Sequence, residues 1–187
     1  MKSEIRELVR QLLLACGEDP DREGLRRTPA RFEEAYRRVT RGYAQTLAEV
    51  VNGAVFEEPY DQMVVVKEID FYSLCEHHLL PFYGVAHVGY IPNADGRIVG
   101  ISKLARVVET IARRPQLQER MTTQIADAIY DGIKPDGVAV VIQAEHLCMI
   151  MRGINKPGSN VITSAIRGAF RRRAASKAEF LSLIQSK

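Results

Sequence analysis

The sequence predicts an α+β fold, an antiparallel four-stranded sheet with helices on one face, preceded by an N-terminal helical extension. Three observations carry this. Apolar residues recur at helical spacing through the first third of the chain. β-Branched runs then take over at 62–71, 82–92, 137–153 and near 161–164. Two further stretches of helical spacing separate the second run from the third. The order is therefore helices, two strands, two helices, two strands, which suits helices packed together on an antiparallel sheet. Residues 1–55 read as the helical region and 56–187 as the main domain.

Each element has a local reason. Residues 3–15 carry an apolar stripe of Ile5, Leu8, Val9, Leu12 and Leu13. "GEDPDREGL" is a loop. Thr28-Pro29 reads as an N-cap followed by proline at the first helical position, and Phe32, Ala35, Tyr36 and Val39 form that helix's apolar face. Thr46 and Glu49 have capping-box spacing and open a short helix closing at Asn52-Gly53. "NADG" at 93–96 is a turn between strands. Leu104, Val107, Val108 and Ile111 mark a helix over 102–114, and Pro115 starts another to about Ile133. Ser176 and Glu179 are spaced to cap a last helix.

Composition narrows the function classes. The chain has 187 residues, 46% hydrophobic and 26% charged, enough for a real core. A net charge of +3 is too small to indicate nucleic acid. Apolar runs such as "LLLA" are too short to span a bilayer. The acidic N-terminus, without a small-residue cleavage site, is no signal peptide. Three cysteines without an export signal point to a cytoplasmic protein whose cysteines are metal ligands or thiols.

Two short stretches concentrate soft donors. "CEHHLLPF" (75–82) holds Cys75, His77 and His78, and "EHLCM" (145–149) holds His146 and Cys148. Cys75 and His78 have the C-x-x-H spacing of a chelating turn. Period-two alternation along a strand over 137–153 turns His146, Cys148 and Arg152 to one side. Two thiolates and one imidazole leave a tetrahedral zinc its fourth position for water. A closed structural site with His146 as fourth ligand competes with this. Spare histidines beside the set suit chemistry, since a closed site needs no proton carriers.

A second group is cationic. "VGISKLAR" enters a helix with Ser102 expected at the N-cap and Lys103 and Arg106 in the first turn. Positive charge there opposes the helix dipole and suits a bound phosphate, or else marks a solvated turn. Arg152 could reach the same anion. Glu119, in the first turn after Pro115, favours the dipole as it stands.

"CEHHLLPF", "GISKLARVVE", "RPQLQERMTTQIA", "EHLCMIMRG" and "TSAIRGAF", in this order, resemble GTP cyclohydrolase I over about residues 28–185. The resemblance implies the tunnelling fold and a homodecamer of two stacked pentamers, with sites between subunits. It implies that GTP and water give 7,8-dihydroneopterin triphosphate and formate, the first step toward tetrahydrofolate and other pterins. By position, Cys75, His78 and Cys148 would hold Zn2+, and His77 and His146 would move protons. Glu119 would read guanine. Ser102, Lys103, Arg106 and Arg152 would surround ribose and triphosphate, with Ser102 also near the acid-base steps on the sugar. GTP and further copies of the chain are the expected partners, with neither nucleic acid nor membrane.

Overall fold

The computed structural model describes residues 3–51 and 54–186, so the Asn52-Gly53 helix end lies outside the described residues. Packing divides the chain into two units, the first ending at Arg41 and the second beginning at Gly42. The first contains α1 (Glu4–Ala15) and α2 (Thr28–Val39). Glu33 on α2 gathers Ser3, Arg6 and Arg37 around its carboxylate at 2.6–3.0 Å. Thr28 is the first residue of α2 rather than its cap, and Arg27 takes the cap position.

The second unit opens with α3 (Leu47–Val51). Its capping box forms as expected: Thr46 N–H donates to Glu49 Oε2 at 2.8 Å, and Glu49 N–H to Thr46 Oγ1 at 3.2 Å. Because α3 packs on the helices that follow, packing draws the division at 41/42, ahead of the expected 55/56. Then come β1 (Val55–Glu57), β2 (Val64–Cys75), β3 (Pro81–Ile91), β4 (Arg97–Val99), α4 (Ile101–Ala112), β5 (Pro115–Gln116) and α5 (Gln118–Ile133). The chain continues through β6 (Gly137–His146), α6 (Leu147–Ile150), β7 (Val161–Gly168), α7 (Ala169–Arg172) and α8 (Ala174–Gln185).

The main sheet has the order β5-β2-β3-β6-β7. Four long strands pair antiparallel, and the two-residue β5 joins β2 in parallel. A separate ribbon pairs β1 with β4. Pro115 thus belongs to a strand, and its helix starts only at Gln118. β6 stops at His146, well short of residue 153, because the chain turns into α6 there. The last helix begins at Ala174, so Ser176 lies inside it and caps nothing.

Helices cover both faces of the sheet, not one. Ala86, Val88 and Tyr90 of β3 face a core with Leu104, Val108 and Ile111 of α4 and Ile125 and Ile129 of α5. The alternate residues of β3 face Phe170 of α7 and Phe180 of α8. A side chain at Gly89 would strike the Phe180 ring at 2.7 Å, so glycine there lets α8 lie close. Both faces of β3 are apolar, and alternation alone gave no solvent side to read.

Register sets the position of the site. Leu74 pairs with Pro81, and Phe82 with His146. The turn carrying "CEHHLL" and the end of β6 therefore meet at one end of the sheet.

Candidate metal centre and nucleotide site

Cys75 is the buried last residue of β2. The chain then reverses tightly. Leu79 N–H donates to Cys75 O at 2.7 Å, with Leu79 in the left-handed region at φ 54°. This folds His78 back, so that its Nδ1 lies 3.7 Å from Cys75 Sγ. From β6, the single turn of α6 carries Cys148 Sγ to 3.9 Å from Cys75 Sγ. Strand alternation does not produce this meeting, since Cys148 stands on helix. The three ligand atoms all lie within 4.8 Å of one another, and among the described residues this is the one such group of three.

The donor set fits a tetrahedral zinc. With Zn–S of about 2.3 Å and Zn–N of about 2.0 Å, tetrahedral angles put sulfurs about 3.8 Å apart and sulfur and nitrogen about 3.5 Å apart. The sulfur pair at 3.9 Å and the sulfur–nitrogen pair at 3.7 Å are close to this. Burial, then the neighbouring Cys75 sulfur, push the Cys148 thiol above its ordinary value. Two adjacent thiolates repel, and a divalent cation reverses that penalty. Arg152 Nη1 stands 2.6 Å from His78 Nε2, the far nitrogen of the same ring.

His146 is not in the group. Its Nε2 lies 2.7 Å from Gln118 Oε1, and its ring stacks on Phe82 with centroids 4.5 Å apart and planes 2° from parallel. This geometry favours three ligands over the closed set of four. Burial lowers the His146 pKa, and the charge of Glu119 opposes that shift. Glu119 is exposed in the first turn of α5. His77 is exposed too, its ring edge-on to His78 at 6.1 Å.

Apart from Arg152, the cationic residues sit elsewhere. Gly100 caps α4, so Ser102 is the second helical residue rather than the cap. Gln116, just after α4, pairs with Cys75. The C-terminal end of α4 is therefore the end near the cysteines, and Ser102 and Lys103 lie about 15 Å back along the helix axis. Arg106 lines a cleft of about 280 Å³ with Tyr72, Glu109 and Arg113. One chain does not unite these residues with the Cys–His–Cys group.

Sequence reasoning missed Gln118, although it directly precedes Glu119. A buried glutamine leaves no mark in periodicity. It also missed the ring-on-ring packing of Phe82 on His146, and the Arg120–Glu76 ion pair that ties the CEHH turn to α5.

Comparison with known proteins decides the family. The GTP cyclohydrolase I family model matches residues 5–185. The chain belongs to the GTP cyclohydrolase I family. It is similar to GTP cyclohydrolase 1 of Dehalococcoides mccartyi, at 63% identity over 183 residues, covering 98% of this chain and 96% of the relative. It is also similar to GTP cyclohydrolase 1 of Thermobifida fusca, at 57% over 180 residues, covering 96% and 86%. Among solved structures, the apo crystal structure of the archaeosine synthase QueF-Like aligns with a TM-score of 0.48 and 18% identity, over 60% of this chain and 98% of that one. Cys75, His78, His146, Cys148 and the start of α4 all fall inside the residues matched to GTP cyclohydrolase I.

Proposed function

We propose that this member of the GTP cyclohydrolase I family converts GTP and water into 7,8-dihydroneopterin triphosphate and formate at a zinc centre held by Cys75, His78 and Cys148. The reaction is the first step toward tetrahydrofolate and pterins. The observation that carries the reading is the spacing of two sulfurs and one imidazole nitrogen, which matches three corners of a tetrahedron and leaves one corner for water. What zinc supplies when bound is a water pKa lowered to about 7, hence hydroxide at neutral pH.

The other roles belong to the chain's own groups. Guanine presents N1–H and the 2-amino group on one edge, and the Glu119 carboxylate accepts both. His146 gives a proton to N7, which makes C8 open to attack by water. His77 and Ser102 serve the later acid-base steps on the ribose. Lys103, Arg106 and Arg152 hold the triphosphate.

We read the fold as the tunnelling fold and the assembly as a decamer of two stacked pentamers. Two features support a site shared between subunits. Ser102 and Lys103 lie far along α4 from their own cysteines, which favours a neighbour's α4 as their source. Among the described residues, β2 pairs at its outer edge with β5 over two residues only, and open edges invite a further strand. Light scattering should give a large oligomer, and an active monomer would contradict the reading. Among the described residues no helix is long and apolar enough to cross a membrane, which suits the proposed cytoplasmic location. The deciding assay incubates the zinc-loaded protein with GTP, measures formate, and looks for pterin fluorescence after oxidation. Turnover lost with chelator and regained with zinc is expected. Unchanged GTP would sink the proposal.

A further inference from the structure

Gln118 is 2% exposed, and each end of its side-chain amide meets a defined partner. One end lies 2.9 Å from Val161 O, 3.3 Å from Ile142 O and 3.1 Å from Thr163 Oγ1. Backbone carbonyls only accept, so this end is the NH2 group. The threonines agree. Thr122 Oγ1–H donates to Gln118 O at 2.7 Å, so the 2.6 Å bond between Thr122 and Thr163 takes its hydrogen from Thr163. That leaves the Thr163 oxygen free to accept from Gln118. The other end of the amide is then the oxygen, and it faces His146 Nε2 at 2.7 Å. An amide oxygen needs a donor there, so the hydrogen must sit on Nε2.

The ring cannot easily choose otherwise. Phe82, fully buried, lies parallel against it. Turning the ring over would present Cε1–H to the glutamine oxygen and forfeit the hydrogen bond. Moving the hydrogen to Nδ1 would set two acceptors against each other. Among the described residues this is the one hydrogen bond of His146, so Nδ1 remains free.

We propose that Gln118 is a positioning residue that holds His146 with hydrogen fixed on Nε2, so that Nδ1 is the nitrogen that takes up a proton and passes it to the substrate. The second half of this rests on His146 as the proton carrier of the proposed function, and the first half does not. Gln118 is held by the carbonyls of β6 and β7, so the sheet itself aligns the imidazole. This is how a side chain that never meets the substrate can set the tautomer of one that does.

Nitrogen-15 NMR on histidine-labelled, zinc-loaded, full-length protein tests it. There are four histidines, and His146→Ala identifies the signals of interest. The neutral wild-type ring should carry hydrogen on Nε2, with Nδ1 bare. Gln118→Met should mix the tautomers and lower kcat by about 10–100-fold, less than the roughly 100–10,000-fold of a general acid lost outright, with KM moving less than about threefold. Gln118→Glu should restore both, because facing two carbonyls it stays protonated, donates to one of them and still accepts from His146. A wild-type ring with hydrogen on Nδ1 overturns the proposal, and this reading stands even if Gln118→Met fails to fold. So does a folded Gln118→Met protein with the wild-type tautomer. The spectrum needs no turnover, so an inactive protein with hydrogen on Nε2 would count against the assigned chemistry of His146 while supporting the positioning by Gln118.

Discussion

Glu33 in the first unit and the Cys75–His78–Cys148 group in the second are both dense polar clusters, yet they are finished to different degrees. Glu33 has its answers within the chain: Ser3 gives one hydrogen bond, and Arg6 and Arg37 give charge-assisted ones. The carboxylate needs nothing further. The cysteine pair has no such answer. Two sulfurs sit side by side, His78 stands beside them, and Arg152 reaches the imidazole rather than a thiol. A cluster matched internally serves the fold, whereas one whose donors converge on a common point at metal-ligand spacing suits a ligand. His146 differs from the three ligand residues: Gln118 satisfies one nitrogen, and among the described residues the other has no hydrogen-bond partner.

The largest effect should come from the unfinished cluster. Cys75→Ala, His78→Ala or Cys148→Ala removes one of three protein ligands, so bound zinc and activity should vanish together. Metal analysis of each purified variant checks this. Full zinc content in any one of them would break the contrast between the clusters.

His146→Ala comes next. If His146 carries protons and binds no metal, the variant should keep its zinc and lose at least about two orders of magnitude in kcat. Loss of zinc here would instead revive the closed four-ligand site.

Glu119 should show a smaller, more selective effect. Adenine places an acceptor at N1 against the carboxylate, so ATP should be rejected by about four orders of magnitude. Inosine triphosphate lacks only the 2-amino group and should lose about 1.5–3 kcal/mol, the scale of one hydrogen bond to a charged partner. Glu119→Ala should shrink the gap between GTP and inosine triphosphate while zinc stays bound. An unchanged ratio of kcat/KM would mean that Glu119 only complements its helix dipole.

The physics of each signal explains how far the sequence could be read. The C-x-x-H turn was legible because chelation within one turn is a local property. Cys148 was also found, although through a wrong intermediate: alternation along a strand that in fact ends at His146. Hydrophobic periodicity gave the order of elements, since burial of one face is what periodicity records. It failed where both faces are buried, and so did not show that the last helix, α8, covers the second face of β3. Ser102 was misread as a cap because Gly100 fills that position without a side-chain bond. Gln118 was invisible because its meaning lies in Ile142, Val161 and Thr163, which only the fold assembles.

The smallest effect tests the finished cluster. Hydrogen bonds from Ser3, Arg6 and Arg37 hold the Glu33 carboxyl at about 2, against an ordinary 4.5. A depressed pKa in the folded state means that the folded state favours the charged form, so the contribution to stability is complete above pH 4.5 and fades as pH falls toward 2. Glu33→Gln removes the charge, keeps the size and leaves the two arginines without their shared partner. At neutral pH its α1 amides should exchange hydrogen faster than those of the wild type, because α1 is tied to α2 through this carboxylate. On acidification the wild type should approach the variant, since both then carry an uncharged group at position 33. Zinc content and GTP turnover should be the same in the two proteins at neutral pH. If the exchange gap persists undiminished down to pH 2, the carboxylate is not what ties the helices. If zinc is lost as well, the two clusters are coupled, and the contrast between a finished structural group and an unfinished ligand site fails.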